Sequence, residues 1–486
     1  MKIMFAIPIS SERFRITPDL GLGYLASLAR RAGHQVCLVD CTQEKYNYDD
    51  FERRVREYQP DVLALKLYTI DTPHAKEMIH RVRQVSSTII PVIGGPHPSM
   101  ELPEKVFEHI PELDFAFAGE GEPGFLPFLE QLESASSDFD DIAGLRWRDS
   151  ARVIHANKKM LVEDLDTLPL PAWDLMDPRR YRCGGSFMNS RYPAAPVSVT
   201  RGCPYHCTYC GAHLITSRTI RMRGVENIIE ELKLLSGKYG VRSIDISDDN
   251  FAYNRDFVLE FCERLIREQL DIGWNCPFGV RIDRLDKEMI RMMERSGCFA
   301  LSVGVESGSN RILSKIKKGL TVETVIEKVT MIKQVSNIKL QGFFMMGFPD
   351  ETVQEIEATI KLACSLPFDM AVFATLRIVP GTELHTELVA EGKIQPDMDY
   401  YEYGLPSFRR SYSQIPDDQL FKLYRKAYSS FYFRPKVFLR LLSEIRRWGQ
   451  VRDPQDGLVR LVRRRTQKRP LCPVPSTLEP INHPGP

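Results

Sequence analysis

The chain has 486 residues, of which 43% are hydrophobic and 27% are charged, which is enough for two or three globular domains. Its 65 Lys and Arg residues stand against 64 Asp and Glu residues, so the formal net charge of +1 provides no basic field for nucleic acid. No run of eighteen uncharged apolar residues is present, and the apolar run at the amino terminus is too short for a secretory signal. We therefore expect a cytoplasmic protein with no membrane span and no nucleic-acid partner.

Residues 1–135 alternate short apolar runs with helical patterns. Five strand-helix units with almost continuously apolar strands predict a buried, doubly wound, Rossmann-like parallel sheet. Such sheets bind ligands outside the carboxyl ends of their strands. The predicted strands cover residues 3–7, 36–39, 62–67, 89–93 and 115–117.

The pattern Gly21-x-Gly23-x-x-Ala26 is similar to a dinucleotide-binding fingerprint. That fingerprint requires its first glycine directly after the strand, because the pyrophosphate lies in the tight turn between strand and helix. Here residues 8–20 intervene, so we reject the fingerprint. A nicotinamide or flavin cofactor stays open as the alternative for this domain.

Residues 136–192 are predicted to be a linker. The stretch from 144 to 154 alternates around a turn as a small hairpin does, and the prolines between 168 and 177 exclude regular helix or central strand. The linker separates the first sheet from a second strand-helix array. We therefore place the domain boundary inside this segment.

Residues 193–390 contain six strand-helix pairs, which predict a partial (βα)6 barrel with its chemistry on the loops after the strands. Residues 391–450 are predicted to form a helical cap whose aromatic stripe packs on the barrel. Residues 451–486 are basic and rich in proline, which predicts a poorly ordered tail. The six predicted strands cover residues 197–200, 243–247, 274–278, 299–305, 339–345 and 370–376.

Three thiols, Cys203, Cys207 and Cys210, follow the first predicted barrel strand in a C-x3-C-x2-C spacing. Thiolates at this density select zinc, copper(I) or iron-sulfur iron. A closed zinc site needs a fourth ligand, which His206 or His213 would supply, so a Cys3His zinc site stays open. The preferred interpretation is a 4Fe-4S cluster with three protein thiolates and one iron left for another ligand.

This cysteine spacing, with Tyr209 just before the last cysteine, resembles the signature of the radical S-adenosylmethionine superfamily. The resemblance implies an enzyme that reductively cleaves S-adenosylmethionine at a 4Fe-4S cluster. It further implies an external electron donor of the flavodoxin or ferredoxin type. Under this interpretation Tyr209 lies beside the cofactors, and the substrate is a small molecule.

The glycine-containing loops of the first domain resemble the cobalamin-binding domain found in one branch of the superfamily. The resemblance implies that Gly94, Gly95 and Gly121 let the backbone approach the corrin and its nucleotide tail. The D-x-H-x-x-G motif that supplies a cobalt-binding histidine in cobalamin methyltransferases and mutases is absent. We therefore interpret His74 and His97 as loop residues rather than cobalt ligands.

Further candidate residues stand at the ends of the second, third and fourth barrel strands. By the resemblance, Asp248 and Asp249 hold the ammonium group of S-adenosylmethionine, with a solvated acidic loop as the alternative. Arg281 is a candidate for the cofactor's carboxylate. Glu306 and Ser307 match the position that contacts its ribose or methionine part, with a serine helix cap as the alternative.

Together, the resemblances imply a cobalamin-dependent radical enzyme that methylates an unactivated carbon of a small molecule. A radical cyclase or oxidase of the same branch is the first alternative. A radical enzyme whose first domain is empty and serves only for docking is the second. A non-catalytic iron-sulfur or corrinoid sensor is the alternative from another class, which the acidic loop at Asp248 and Asp249 disfavours.

Overall fold

The structure of the protein is a computed structural model that describes residues 1–10, 17–135, 138–181, 191–395, 412–435 and 437–439. The predicted tail lies outside these residues, as do the aromatic stretch from 396 to 403 and the predicted helix beyond residue 439. Within the described ranges, no helix is both long enough and apolar enough to cross a membrane.

The first sheet has seven strands in the order β2-β1-β3-β4-β5-β6-β7. Strands β1 to β5 pair in parallel, as the apolar runs predict. Because β1 lies between β2 and β3, the order of the chain reverses there, and the crevice beside this point is where such sheets bind ligands. The strands are β1 (Lys2–Ile7), β2 (Gln35–Asp40), β3 (Val62–Lys66), β4 (Ile90–Gly94), β5 (Phe115–Phe117), β6 (Leu145–Arg148) and β7 (Ile154–Ala156).

The hairpin predicted for the linker is present as β6 and β7, but it belongs to the first sheet. Strand β6 pairs with β5 in antiparallel fashion, and Leu145 and Trp147 are buried against its core. The sequence pattern identified the turn but carried no information about which edge the hairpin would join. We infer that the first domain extends through residue 156 rather than ending at residue 135.

The second sheet has six parallel strands in the order β15-β14-β13-β12-β11-β8. Its first strand ends at Val197 instead of spanning 197–200, because Thr200 belongs to a separate two-stranded ribbon of β9 and β10. The strands are β8 (Ala194–Val197), β9 (Thr200–Arg201), β10 (Arg221–Met222), β11 (Ser243–Ile246), β12 (Gly273–Val280), β13 (Cys298–Glu306), β14 (Lys339–Met346) and β15 (Met370–Thr375).

Helices cover both sheets, and many begin at a side chain that accepts a hydrogen bond from a first-turn amide. Asn47 and Thr352 complete reciprocal capping boxes with Asp50 and Glu355. The helices of the first domain are α1 (Leu20–Arg31), α2 (Tyr48–Tyr58), α3 (Thr72–Val85), α4 (Pro96–Met100), α5 (Pro103–His109) and α6 (Glu122–Glu133). Those that follow are α7 (His213–Thr216), α8 (Val225–Tyr239), α9 (Arg255–Glu268), α10 (Lys287–Arg295), α11 (Asn310–Lys315), α12 (Val322–Val335), α13 (Val353–Ser365), α14 (Glu383–Ala390) and α15 (Asp417–Tyr432).

The proline-rich linker packs directly on α1. A side chain at Gly23 would place its Cβ 2.3 Å from Met176 Cε and 3.0 Å from Pro171 Cβ, and the Ala172 amide donates to the Gly23 carbonyl at 3.0 Å. Glycine is therefore required at this position for close packing against the linker. This accounts for Gly23 without a phosphate, in agreement with the rejected fingerprint.

Helix α15 lies along β15, the edge strand of the second sheet. The Tyr428 hydroxyl donates to the Phe373 carbonyl at 3.0 Å and accepts from the Phe373 amide at 3.3 Å. Tyr432 makes the same two hydrogen bonds with Ala371, at 2.8 and 3.4 Å. The described part of the predicted cap therefore packs on the barrel through its aromatic face, as expected.

Candidate cofactor site

The three cysteines lie on the loop between β9 and α7. Gly202 starts this loop with φ +94°, and a Cβ there would lie 2.1 Å from the Thr219 carbonyl oxygen, so only glycine fits. The Cys203 amide donates to the Ser217 carbonyl at 3.2 Å, and the Cys210 amide donates to the Cys207 carbonyl at 3.1 Å. The loop is therefore held by its own backbone, and it leaves all three thiols free and only half-buried.

Burial and the neighbouring thiols raise the pKa values of two cysteines in this loop. Burial raises the pKa of Cys210 to about 11, with smaller upward contributions from Cys207 and Cys203. Burial also raises the pKa of Cys203. Thiolates bind metals, so a positive centre between the thiols would offset the cost of ionising them.

Three free thiols on one loop are the protein ligands that a 4Fe-4S cluster with one open iron requires. Among the described residues, no group of three His, Cys, Asp or Glu side chains converges closely enough to hold one metal ion. A 4Fe-4S cluster sets a different requirement, because each cysteine binds a different iron and the sulfurs stand apart. His213 donates from Nδ1 to the Cys210 carbonyl at 3.0 Å, which leaves only its Nε2 as an atom that could bind a metal.

Tyr209 joins the cysteine loop to the end of β13. Burial and the nearby Glu306 carboxylate raise the pKa of Tyr209, and its ring lies edge-on to Phe348 at 6.0 Å between centroids. Glu306 has φ +68°, which is strained for a residue other than glycine, and it accepts from Lys318 Nζ at 2.8 Å. The structure thus brings predicted residues Tyr209 and Glu306 together and adds a buried lysine that sequence reasoning did not single out.

The two aspartates after β11 have different surroundings. Both carboxylate oxygens of Asp248 are occupied, since they accept from the Val199 and Thr200 amides at 2.8 and 2.9 Å. Asp249 is exposed, accepts from Thr216 Oγ1 at 2.6 Å, and lies close enough to raise the pKa values of Cys203 and Cys210. Asp248 therefore supports the strand that leads to the cysteine loop, and Asp249 is the open carboxylate.

Asn250 is the unexpected member of this segment. It is 1% exposed, yet neither its Nδ2 nor its Oδ1 has a hydrogen-bond partner among the described residues. An amide buried without partners is costly, so this side chain calls for a partner such as a water molecule or a bound polar group. Asn250 follows Asp249 directly, and both are candidates for the polar end of S-adenosylmethionine.

The side chains of Arg281 and Ser307 are engaged by other protein residues. Arg281 donates to both oxygens of Asp283 at 2.9 and 3.1 Å, and its guanidinium lies 3.9 Å above the Tyr205 ring. Ser307 is fully buried and faces Thr359 on α13 at 3.3 Å, while Ser309 caps α11. The geometry therefore favours supporting roles for Arg281 and Ser307 over direct contact with a cofactor.

The glycines predicted to approach the corrin differ in their requirements. Gly95 has φ +97°, and a Cβ there would lie 3.1 Å from Lys66 Cγ. Gly94 ends β4 beside open space, with Phe117 Cβ 3.9 Å from a built Cβ. Gly121 has an ordinary helical backbone, with φ −81°, so its conformation does not demand glycine. The backbone requirement for glycine is thus strongest at Gly95.

His74 and His97, which we predicted to be loop residues rather than cobalt ligands, both lie in helices. His74 lies on α3, where its Nδ1 is 2.7 Å from the Tyr48 hydroxyl. His97 is inside α4 rather than in a loop and is fully buried, with Nδ1 3.2 Å from Thr69 Oγ1. Burial lowers the pKa of His97 to about 3, so it stays neutral.

The two candidate cofactor loops touch each other. A Cβ at Gly211, next to the last cysteine, would lie 2.9 Å from Met100 Cε of α4. Lys159 also joins the two sides, donating to the Ser99 carbonyl at 3.0 Å and to the Leu214 carbonyl at 2.8 Å. The helix after Gly95 therefore packs on the loop that carries Cys210.

Glu351 provides a test of the electrostatics beside this site. It is buried after β14, and its Oε2 accepts from the Gly347 and Phe348 amides at 2.6 and 3.1 Å. Burial raises its pKa from 4.5 to about 7. The folded protein then holds a proton that the unfolded chain releases, so Glu351 lowers stability as the pH rises from about 4.5 to about 7.

We expect Glu351→Gln to increase the free energy of unfolding at pH 8 by up to about 3 kcal/mol and to raise the melting temperature accordingly. At pH 5 we expect little change in either quantity. Glu355→Gln is the control with the opposite sign. Its hydrogen bond with Arg311 lowers the pKa of Glu355 to about 2, so neutralising it removes a favourable interaction at pH 8. Calorimetry at both pH values measures the two shifts, and a lower melting temperature for Glu351→Gln at pH 8 contradicts this account.

Two family models match the chain, one in the region of each sheet. Residues 197–363 match the family model of the radical SAM superfamily, and residues 9–127 match that of the B12 binding domain. The two matches fall on the second and first sheets respectively. The chain belongs to the radical S-adenosylmethionine superfamily, in the group that carries a B12 binding domain.

Curated relatives cover most of the chain. An uncharacterized methyltransferase of Pyrococcus horikoshii is 31% identical over 449 residues, covering 91% of this chain and 95% of the relative. Cytidylyl-2-hydroxyethylphosphonate methyltransferase of Streptomyces wedmorensis is 25% identical, with 80% of each chain covered. Anaerobic magnesium-protoporphyrin IX monomethyl ester cyclase of Rubrivivax gelatinosus is 23% identical over 87% of this chain and 75% of the cyclase.

Solved structures show the same fold. The radical S-adenosylmethionine methyltransferase TsrM of Kitasatospora setae, with tryptophan and a SAM analog bound, has a TM-score of 0.67 at 16% identity, covering 80% of this chain and 76% of TsrM. The cobalamin-dependent radical enzyme OxsB, with aqua-cobalamin and S-adenosylmethionine bound, has a TM-score of 0.64 at 20% identity. That alignment covers 87% of this chain and 61% of the longer OxsB chain.

The predicted family, the α/β fold class and the assignment to radical SAM enzymes are thereby confirmed. The three predicted cofactors, a 4Fe-4S cluster, S-adenosylmethionine and cobalamin, are confirmed at the level of the family. The roles of individual residues rest on the geometry above and stay proposals.

Proposed function

We propose that the protein is a cobalamin-dependent radical S-adenosylmethionine methyltransferase that acts on an unactivated carbon of a small molecule. The observation that carries this proposal is the contact between the two cofactor loops, in which Met100, five residues after Gly95, lies against Gly211 beside Cys210. A cobalamin on the first sheet then faces the radical chamber directly. Relatives named as methyltransferases support the same activity.

In this proposal, the bound cluster supplies the electron that cleaves S-adenosylmethionine, and bound cobalamin supplies the methyl group. The protein's own residues bind and orient. Cys203, Cys207 and Cys210 hold the cluster, and Asp249 with Asn250 accepts the ammonium group of S-adenosylmethionine at the end of β11. Tyr209 and Glu306 limit the chamber on the side of β13, where the Glu306 carboxylate is fixed by Lys318.

Radical cyclisation is the second candidate, since a cyclase is among the relatives. The two activities differ in their products. Methylation consumes a second S-adenosylmethionine to restore the methyl donor, and it therefore yields S-adenosylhomocysteine beside 5'-deoxyadenosine. Cyclisation yields 5'-deoxyadenosine alone.

The experiment is an anaerobic reconstitution with iron, sulfide and hydroxocobalamin, followed by incubation with S-adenosylmethionine and a reductant. We expect about four iron atoms and one cobalamin per chain. We further expect S-adenosylhomocysteine to be released, because bound cobalamin would take the methyl group of S-adenosylmethionine. Release of 5'-deoxyadenosine without any S-adenosylhomocysteine overturns methylation and favours the cyclase.

Lys318 should affect S-adenosylmethionine binding without affecting the cluster. Its ammonium is buried, and Glu306 is its one carboxylate partner among the described residues. In Lys318→Met we expect the dissociation constant for S-adenosylmethionine to increase roughly tenfold or more, because Glu306 is left as an uncompensated buried charge. Equilibrium dialysis measures the affinity, and iron content should stay at the wild-type level.

The control is Lys317→Met, whose exposed ammonium pairs with Glu383. Unchanged affinity in Lys318→Met would remove Lys318 and Glu306 from the site.

The electron donor is proposed to be a small external protein of the flavodoxin or ferredoxin type, acting in the cytoplasm. The exposed part of the cysteine loop supports this, because His206 faces the solvent. Tyr205, which lies between Cys203 and Cys207, accepts hydrogen bonds from Arg218 at its carbonyl and from Arg284 at its hydroxyl. Cationic side chains at this position suit an acidic donor. Turnover driven by reduced flavodoxin should therefore slow as salt concentration increases, whereas turnover driven by dithionite should not.

A further inference from the structure

The base of the cysteine loop is a two-stranded ribbon that pairs two arginines. In the antiparallel register of β9 and β10, Arg201 lies directly opposite Arg221. Like charges directly opposite each other destabilise a strand pair. Residues 202–220, which include all three cysteines, form the loop that this ribbon closes. The closure of the cysteine loop therefore needs compensating negative charge.

That charge comes from the first domain. Glu120 binds Arg221 through two hydrogen bonds of 2.7 and 2.8 Å and lies 3.5 Å from Arg201. Glu122 accepts from Arg201 at 2.8 Å. Both glutamates follow β5, on either side of Gly121. We call Glu120, Glu122, Arg201 and Arg221 the ion cluster.

The ion cluster is enclosed. Its four side chains are 3 to 12% exposed. The linker covers it, since the Val162 amide donates to Glu120 at 2.8 Å and its carbonyl accepts from Arg221 at 2.7 Å. The guanidinium of Arg201 also lies 5.3 Å from the centre of the Tyr24 ring of α1. Salt and solvent screen such a group weakly, so its geometry is tightly set.

The charges balance only between domains. The ion cluster has two guanidinium groups from the ribbon and two carboxylates from the loop after β5. Among the described residues, no other carboxylate forms an ion pair with Arg201 or Arg221. If the loop after β5 moved away, both arginines would be left facing each other without compensation in a buried site. The two loops can therefore shift only together.

We propose that the ion cluster mechanically couples the cobalamin-binding loop at Gly121 to the cysteine loop, so that occupation of the first domain by cobalamin orders the site of the iron-sulfur cluster. Glu120 and Glu122 are positioning residues in this proposal, because they act through Arg201 and Arg221. The proposal rests on the two cofactors of the proposed function but not on methylation. It requires that the cysteine loop become more rigid when cobalamin binds to the first domain.

Hydrogen-deuterium exchange of the cluster-loaded protein, with and without hydroxocobalamin, tests the coupling. In the wild type, we expect cobalamin to slow exchange of peptides covering 202–220 by roughly threefold or more. In the double variant Glu120→Gln, Glu122→Gln, we expect this effect to disappear, while peptides covering 90–100 are still protected by the bound cobalamin. Cobalamin stoichiometry is measured from the visible spectrum of each sample.

Two further variants separate coupling from general damage. Glu122→Gln alone keeps the paired hydrogen bonds of Glu120 with Arg221, so it should fold and lose only part of the protection. Asp174→Asn breaks an exposed pair with Arg30 between the linker and α1, and it should behave as the wild type. Equal protection of 202–220 in the wild type and in the glutamine variants overturns the proposal, as does a wild type in which cobalamin leaves that peptide unchanged. Both results are independent of whether methylation is observed.

Discussion

We expect the replacement of Cys207 with alanine to remove the iron-sulfur cluster and, with it, cleavage of S-adenosylmethionine. The loop offers three thiols on a backbone that is already fixed, so losing one leaves an iron without its protein ligand. We expect iron to fall from about four atoms per chain to below about one. Release of 5'-deoxyadenosine should drop by roughly 1,000-fold or more, because the cofactor and not a side chain supplies the electron.

The matched control is Cys364→Ala, which changes a half-buried free thiol on α13 far from the cysteine loop. It should keep both the iron and the activity. The melting temperature of Cys207→Ala without added iron should stay close to that of the wild type without iron, since the Cys207 thiol is free and only half-buried. Persistent binding of four irons by Cys207→Ala would contradict the assignment of the ligands.

The second large effect is on stability, at the buried pair of Arg223 and Glu231. Their side chains are 4% and 0% exposed and 2.6 Å apart, and the Trp173 indole donates to the same carboxylate at 3.0 Å. Replacing Arg223 with methionine leaves a buried charge that one indole cannot compensate. We expect the free energy of unfolding to fall by about 3–5 kcal/mol, measured by urea denaturation.

Arg255→Met is the control, because Arg255 makes a comparable pair with Asp286 at the surface, where both side chains are about 40% exposed. Such pairs contribute only about 0–1 kcal/mol. The double variant Arg223→Met, Glu231→Met should recover most of the loss and retain a cost of about 1–3 kcal/mol for the unpaired Trp173 indole. A loss below about 1 kcal/mol in Arg223→Met would show that solvent reaches this pair.

Much of the fold could be predicted because the strands of both sheets are apolar runs with clear ends. The cysteine spacing likewise predicted the cluster loop, since a short motif carries its geometry locally. The hairpin at 145–156 shows the limit, because local alternation predicts a hairpin but not the sheet that it joins. Pairing across sequence distance depends on the whole core.

The sequence also could not predict which polar residues of the site are buried. Asp248 and Asp249 are adjacent and identical in type, yet the first is turned into the backbone of the preceding strand and the second is exposed. Lys318 was missed because two lysines before Gly319 look like a solvated turn, and only the fold shows that one of them is buried against Glu306. Burial of a single polar side chain is a tertiary property with no local signal.

The tyrosine pair on α15 has a consequence for self-association. A partial barrel ends in an open strand, and an open strand is a template on which another chain can add its own. Tyr428 and Tyr432 use both the amide and the carbonyl of Phe373 and Ala371, the groups that an added strand would bind. The helix therefore covers β15, so the backbone groups of Ala371 and Phe373 are not available for pairing with a strand of another chain.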